Sequence, residues 1–211
     1  SLKKNDAIFF ISQYLFEKKQ YKKVIDLLSK LNLYQLDRSK KNSAFFYLGY
    51  SAYSVSELDL AKNSFYELIS TFDSGFREDA IFFNAQILIN QGDLLGALSG
   101  LESLRKSKKY EKDIPYLISK ILFDLNRYQD LVDYLELVLD SVICSNYTDL
   151  VLLKAKSFFH LQKYTPSVVY YEEYKTLCDT LSKEQLYQIG YSYYQKQLYG
   201  YAIDHLNKIN L

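Results

Sequence analysis

One short motif recurs along the chain at near-constant spacing, and it constrains the fold more than any other feature. A bulky residue stands three positions before a mostly small one at Tyr21/Val24, Leu58/Ala61, Leu94/Ala97, Tyr128/Leu131, Tyr164/Ser167 and Tyr199/Ala202. The intervals between the bulky residues are 37, 36, 34, 36 and 35. Self-similarity at such a period marks stacked units, none of which can bury its apolar face alone.

Each anchor lies between two helix-like stretches. Upstream of Leu58 the segment from Ser43 to Val55 reads S-A-F-F-Y-L-G-Y-S-A-Y-S-V, and downstream Leu60 to Ile69 reads L-A-K-N-S-F-Y-E-L-I. Apolar residues in the second recur at the helical period. No Asn-Gly or Asp-Gly hairpin signal competes. Asp113 before Ile114-Pro115 reads as a cap with proline in the first turn, and Thr165-Pro166 repeats the device. The pattern predicts first helices (A) over about 6–18, 42–55, 77–90, 114–125, 148–161 and 183–196. It predicts second helices (B) over about 21–33, 58–71, 94–106, 128–140, 166–178 and 199–210.

A helix-turn-helix unit of about 34 residues is the tetratricopeptide period, and the chain resembles that family. Numbering each unit by the family's positions, the second carries Phe45, Leu48-Gly49, Ala61 and Phe65, and the sixth Leu186, Ile189-Gly190, Tyr193 and Ala202. The third keeps Gly92-Asp93 and Ala97, while the first, fourth and fifth have Val24, Leu131 and Ser167 where the family has alanine. None of the six has the family's proline at position 32. The resemblance implies an all-α, right-handed superhelical solenoid, a single array over 1–211 with units at about 5–41, 42–77, 78–111, 112–147, 148–182 and 183–211. Small residues at positions 8 and 20 let helices A and B approach closely.

The resemblance also implies a concave groove lined by helix A at positions 2, 5, 9, 12 and 13. Position 5 reads Phe9, Phe46, Phe82, Tyr116, Leu152 and Tyr187, and position 12 reads Phe16, Tyr53, Ile89, Phe123, Phe159 and Tyr194. Ten of these twelve are aromatic, against 17% of the chain, so chance is a poor account. Position 9 adds Gln13, Tyr50, Gln86, Lys120, Lys156 and Tyr191. Two readings compete: interlocking core between adjacent units, or a sticky surface for a peptide, since Tyr and Phe give large contact area at low entropic cost. The candidate peptide-binding residues are Phe9, Phe16, Phe46, Tyr50, Tyr53, Phe82, Gln86, Tyr116, Lys120, Phe123, Phe159, Tyr187, Tyr191 and Tyr194. Position 2 is acidic in five units (Asp6, Asp79, Asp113, Asp149, Glu184), which fits helix N-terminal capping better than a ligand ladder. The carboxylate clamp of chaperone-binding members, built on Lys, Asn and Arg, is absent.

Charge and rarer residues exclude other classes. The balance is 26 basic to 25 acidic, so nothing demands nucleic acid or an anionic membrane. Residues 1–41 carry +6 and residues 113–149 carry −5, which admits head-to-tail pairing of unlike ends. Arg105, Lys106, Lys108, Lys109 and Lys112 read as a solvated loop, with an anionic contact as the alternative. No apolar run approaches the ~18–20 residues of a membrane span. His160 and His205 fall in no metal pattern, and Cys144 and Cys178 read as two thiols rather than a framework. No phosphate loop or nucleophile elbow appears. The expectation is a non-enzymatic chain without metal or cofactor that binds a protein or peptide as an assembly scaffold. The alternative is a structural or self-associating array whose groove holds no peptide.

Two further expectations concern context. Phe72 to Ala80, F-D-S-G-F-R-E-D-A, is similar to the inter-unit linker of bacterial envelope tetratricopeptide proteins of the outer-membrane assembly lipoprotein type, which often read Tyr-Pro-x-Ser-x-Tyr-x-x-Asp-Ala. That tilts the expected location toward the periplasm or envelope, with the cytoplasm as alternative. The chain opens on Ser1, contains no Met, and ends on a helix B with no polar capping helix. It therefore reads as a fragment or processed form whose last unit continues further or packs against another copy.

Overall fold

A computed structural model describes residues 2–71, 74–139 and 146–210. The described residues hold twelve α-helices and two short 3-10 turns, with no strand. The chain divides into two compact units, Ser1–Ser107 and Lys108–Leu211. The first contains α1 (Leu2–Glu17), α2 (Tyr21–Leu28), α3 (Arg38–Ser54), α4 (Leu58–Ser70), α5 (Arg77–Asn90) and α6 (Leu94–Ser103). The second contains α7 (Ile114–Asp124), α8 (Tyr128–Val138), α9 (Tyr147–His160), α10 (Tyr164–Leu177), α11 (Lys183–Gln195) and α12 (Tyr199–Leu206). Within each unit consecutive helices pair as hairpins, and each hairpin packs on the next.

A fixed pair of small and complementary residues holds each hairpin together. Position 8 of helix A is Ser12, Gly49, Ala85, Ser119, Ala155 or Gly190, and all six are buried. Twelve residues later stand Val24, Ala61, Ala97, Leu131, Ser167 and Ala202, also all buried. Val24 and Leu131 face serine, Ala97 and Ser167 face alanine, and Ala61 and Ala202 face glycine, so at least one member of every pair is small. The approach is tight where glycine stands: a Cβ on Gly49 would lie 2.8 Å from Phe65 Cε1, and one on Gly190 2.7 Å from Leu206 Cγ. Four residues beyond the second member, Leu28, Phe65, Leu101, Leu135 and Tyr171 are fully buried. Each contributes roughly 1.5–3 kcal/mol relative to exposure.

Every A-to-B turn is the same backbone device. Lys19, Ser56, Gly92, Asn126, Gln162 and Gln197 adopt φ between 55° and 80°. Their amides donate to the carbonyls of Phe16, Tyr53, Ile89, Phe123, Phe159 and Tyr194. The following amides donate to Leu15, Ala52, Leu88, Leu122, Phe158 and Tyr193 at 2.8–3.0 Å. This is the Schellman pattern, which satisfies the last carbonyls of helix A while reversing the chain. Only one of the six left-handed residues is glycine.

Some boundaries and caps differ from the sequence expectation. Helix α3 begins at Arg38, not 42, because Asp37 accepts the Lys40 amide at 3.0 Å. Helix α2 ends at Leu28, not 33, since Asn32 takes the Tyr34 amide and sets a 3-10 turn over Leu33–Gln35. Asp113 occupies the N-cap of α7, but its carboxylate makes no cap bond. Helix α10 starts at Tyr164, placing Thr165 and Pro166 inside its first turn, so Thr165 is not the cap. Ser182 instead forms a full capping box with Gln185 at α11.

Candidate functional site: the aromatic surface of the A helices

In the first unit the aromatic residues of α1, α3 and α5 gather around Tyr50. Its ring centroid lies 5.6 Å from Phe16, 5.9 Å from Tyr21, 5.9 Å from Phe46 and 5.1 Å from Phe83. Helical spacing puts Phe46, Tyr50 and Tyr53 on one face of α3, so the three rings share a surface. Phe46 stacks on Phe76 at 4.5 Å, and the Tyr53 hydroxyl donates to Gln86 Oε1 at 2.7 Å. Burial, with the Tyr50 phenol close by, pushes the Tyr53 hydroxyl above its ordinary pKa. Phe16, Phe46, Tyr50, Tyr53 and Gln86 are all half-buried.

In the second unit the hub is Tyr191. Phe159, Tyr164, Tyr187 and Tyr194 surround it with centroids at 5.9, 5.8, 5.8 and 6.3 Å. Nearby, His160 stacks on Tyr128 at 4.5 Å and meets Phe123 edge-on at 5.8 Å. Burial and the Lys156 ammonium hold the His160 imidazole below its ordinary pKa, against the pull of Glu184. Lys156 itself reaches Glu184 at 3.0 Å, joining α9 to α11. Lys120 is exposed, while Tyr116, Phe123, Phe159 and Tyr191 are half-buried.

The structure sorts the fourteen expected residues. Phe9 and Phe82 are 5% and 8% exposed, so these two offer a ligand little surface. Phe9 is covered by Tyr47, whose ring stacks on it at 6.2 Å. Tyr187 and Tyr194, on the last hairpin, are 50% and 54% exposed. The sequence reading missed Tyr47 and Phe83, which insert from one hairpin into the aromatic set of the preceding one. It also missed Tyr21, Tyr128 and Tyr164 as surface residues, although these are the anchors that define the repeat. Asp6 and Glu184, expected as caps, pair with Lys40 and Lys156 of neighbouring hairpins instead.

Other chemistry is sparse. Among the described residues no three His, Cys, Asp or Glu side chains come together as metal ligands. Cys144, Phe72 and Asp73 lie outside the described residues. A polar cluster joins α10 to α11 and α12. Lys175 pairs with Glu172 at 2.7 Å, Tyr193 donates to Glu172 at 2.9 Å, and His205 Nε2 stands 4.0 Å from the same carboxylate. Burial pushes the Glu172 carboxyl up, but the hydrogen bonds from Lys175 and Tyr193 and the adjacent charges outweigh it and leave it below the usual range. Every member of this cluster has a partner within it, so it reads as a structural tie.

Several solved structures are similar to this chain in fold. The structure of MamA 41-end from Desulfovibrio magneticus aligns with a TM-score of 0.64 at 12% identity, over 80% of this chain and 92% of that one. The C-terminal part of a TPR repeat-containing protein from Cytophaga hutchinsonii aligns at 0.69 and 13% identity, over 95% and 77%. This chain has the tetratricopeptide fold. PilF of Pseudomonas aeruginosa aligns with the same tetratricopeptide architecture at 0.59 and 14% identity, over 95% and 88%. No protein-family model matches the sequence, and no curated protein matches it.

Proposed function

We propose that this tetratricopeptide chain is a non-enzymatic interaction scaffold that takes an extended or helical segment of a partner protein on its A-helix aromatic surface. The observation that carries the reading is the state of Tyr50. Four rings surround it, yet it stays half-exposed, so it is rigidly held while still offering a face. A pre-organised aromatic ring with a hydrogen-bonding tip is what interaction hot spots are made of. Gln13 and Gln86 hold the same repeat position on α1 and α5 and add side-chain amides that a peptide backbone can bond, the Gln86 Oε1 already accepting from Tyr53. In the second unit, taken by itself, Lys120 and Phe123 offer similar chemistry, and the exposed ammonium favours an acidic residue in a ligand.

The test separates binding from packing. Peptides selected from a displayed library on the wild-type chain are titrated against Tyr50→Ala and Lys120→Ala, with thermal unfolding measured in parallel. Loss of a hot spot worth about 2 kcal/mol weakens affinity roughly 30-fold. The expected result is that loss with only a small change in melting temperature. A collapse of melting temperature with unchanged affinity would make the ring core and overturn the reading.

A further inference from the structure

The turn between α1 and α2 carries its charges against the interest of its own stability. Residues 17–23 hold four lysines and one acidic residue, Glu17. Helix α2 opens on Tyr21-Lys22-Lys23 with no acidic residue in its first turn, where α4 has Asp59 and α8 has Asp130. Cations at the start of a helix oppose its dipole, so these lysines weaken the hairpin that bears them. No ion pair offsets the cost. Among the described residues Lys19, Lys22 and Lys23 have no carboxylate partner, whereas Lys30 and Lys40 of the same unit pair with Asp26 and Asp6 at 2.6 and 2.8 Å. A local rule broken without compensation within the fold marks a place where function sets the residues.

The lysines border a recess that adjoins the aromatic surface. Its volume is about 480 Å³, and its walls are Lys19, Gln20, Tyr21, Lys22 and Lys23 with Val55, the residue after α3. It lies between the A-to-B turns of two consecutive hairpins. Tyr21 belongs to both features: its ring meets Phe16 at 6.1 Å and Tyr50 at 5.9 Å. An extended chain advances about 3.3 Å per residue, so contacts on Tyr50 and in the recess are about two to four ligand residues apart.

We propose that the ligand of the first unit is an acidic protein segment, its apolar or aromatic anchor resting on Tyr50 and its neighbouring carboxylates entering the lysine-lined recess. This rests on the peptide reading above and names the class of peptide. A recess with a tyrosine ring in its wall fits side chains entering singly from a narrow segment, whereas a bilayer surface would meet only the lysine tips. Exposed lysines of this kind steer the encounter more than they hold the complex, so their signature is association rate and salt dependence.

A random displayed peptide library selected separately on the wild-type chain, on Lys22→Glu/Lys23→Glu and on Tyr50→Ala tests it. The wild-type pool should be enriched in Asp and Glu close to an aromatic or apolar residue. The lysine variant should lose the acidic preference and keep the apolar one, and Tyr50→Ala should lose the apolar one. An acidic peptide from the wild-type pool should bind the lysine variant about 10-fold more weakly, through slower association, and the gap should narrow as salt is raised. Lys106→Glu/Lys108→Glu, which reverses two exposed lysines elsewhere, should leave that affinity unchanged. The Lys22→Glu/Lys23→Glu chain should also melt at a higher temperature, because glutamate suits the start of a helix. A lower melting temperature would make the lysines structural and overturn the proposal. An acid-poor wild-type pool overturns it while leaving Tyr50 as the anchor, whereas pools indifferent to Tyr50→Ala overturn the peptide reading itself. An acid-poor pool together with lysine-dependent binding to equimolar phosphatidylserine–phosphatidylcholine vesicles overturns it in favour of an anionic membrane.

Discussion

The left-handed turns allow a clean test of how the hairpins are built. Gln162 sits at φ 58° and Gln197 at φ 61°, both exposed and both closing Schellman turns. A non-glycine residue in that region costs roughly 1–2 kcal/mol through its Cβ. Glycine removes that cost but adds about 0.5–1 kcal/mol of unfolded-state freedom. Gln162→Gly and Gln197→Gly should therefore each stabilise the chain by about 0.5–1 kcal/mol. The sites lie in different hairpins with no shared partner, so the double variant should be close to additive. The converse is Gly92→Ala at φ 80°, where the added Cβ meets nothing within 4 Å. Its whole effect is backbone strain, a loss of about 1 kcal/mol. Thermal unfolding followed at 222 nm reads these as shifts of about 2–4 °C per kcal/mol for a chain of this size. Asn126→Gly should gain least, because asparagine tolerates the left-handed region and its Oδ1 accepts the Tyr128 hydroxyl at 2.6 Å. A lower melting temperature for Gln162→Gly, or no loss for Gly92→Ala, would show that the turns do not limit hairpin stability.

Two other predictions concern packing and pH. Gly49→Ala should destabilise by about 1 kcal/mol despite its helix propensity, because the new methyl meets buried Phe65 at 2.8 Å. Gly100→Ala, whose nearest contact is Ile81 Cγ2 at 3.5 Å, should stabilise by up to about 1 kcal/mol; paired denaturant melts check the opposite signs. Tyr171 and Tyr193 are both held protonated well above the ordinary phenol range, chiefly by burial, and for Tyr193 also by its hydrogen bond to Glu172. Their native pKa values exceed the unfolded ones, so the stability they contribute is intact below about pH 10 and drains away above it. Spectrophotometric titration at 295 nm should show these two phenols ionising only as the helical signal is lost, and free titration of both in a folded chain would refute the assignment.

The hairpins were legible in the sequence because their packing depends on residues within one repeat. The pair twelve apart, such as Gly49 and Ala61, is local, small and periodic, and it sets the A–B approach wherever it occurs. The turn was not legible, because lysine, serine, asparagine and glutamine fill five of the six left-handed positions and none signals positive φ as glycine does. Nor was the exposure of the aromatic stripe. Phe9 and Tyr187 occupy the same repeat position, yet one is 5% exposed and the other 50%. The difference lies in the neighbour: Tyr47 of α3 covers the first ring at 6.2 Å, whereas the second stacks on Tyr191 of its own helix at 5.8 Å. Exposure at position 5 thus varies from repeat to repeat: Phe9 and Phe82 are buried, Phe46, Tyr116 and Leu152 half-buried, and Tyr187 exposed. An aromatic count at positions 5 and 12 therefore cannot separate core from surface. Position 9 can, because its side chain lies along the middle of helix A and stays half-exposed in Gln13, Tyr50, Gln86, Lys156 and Tyr191 alike. In a chain of tetratricopeptide fold this rich in aromatics, position 9 is consequently where side-chain identity is least confounded by packing, and only Tyr50 and Tyr191 are aromatic there.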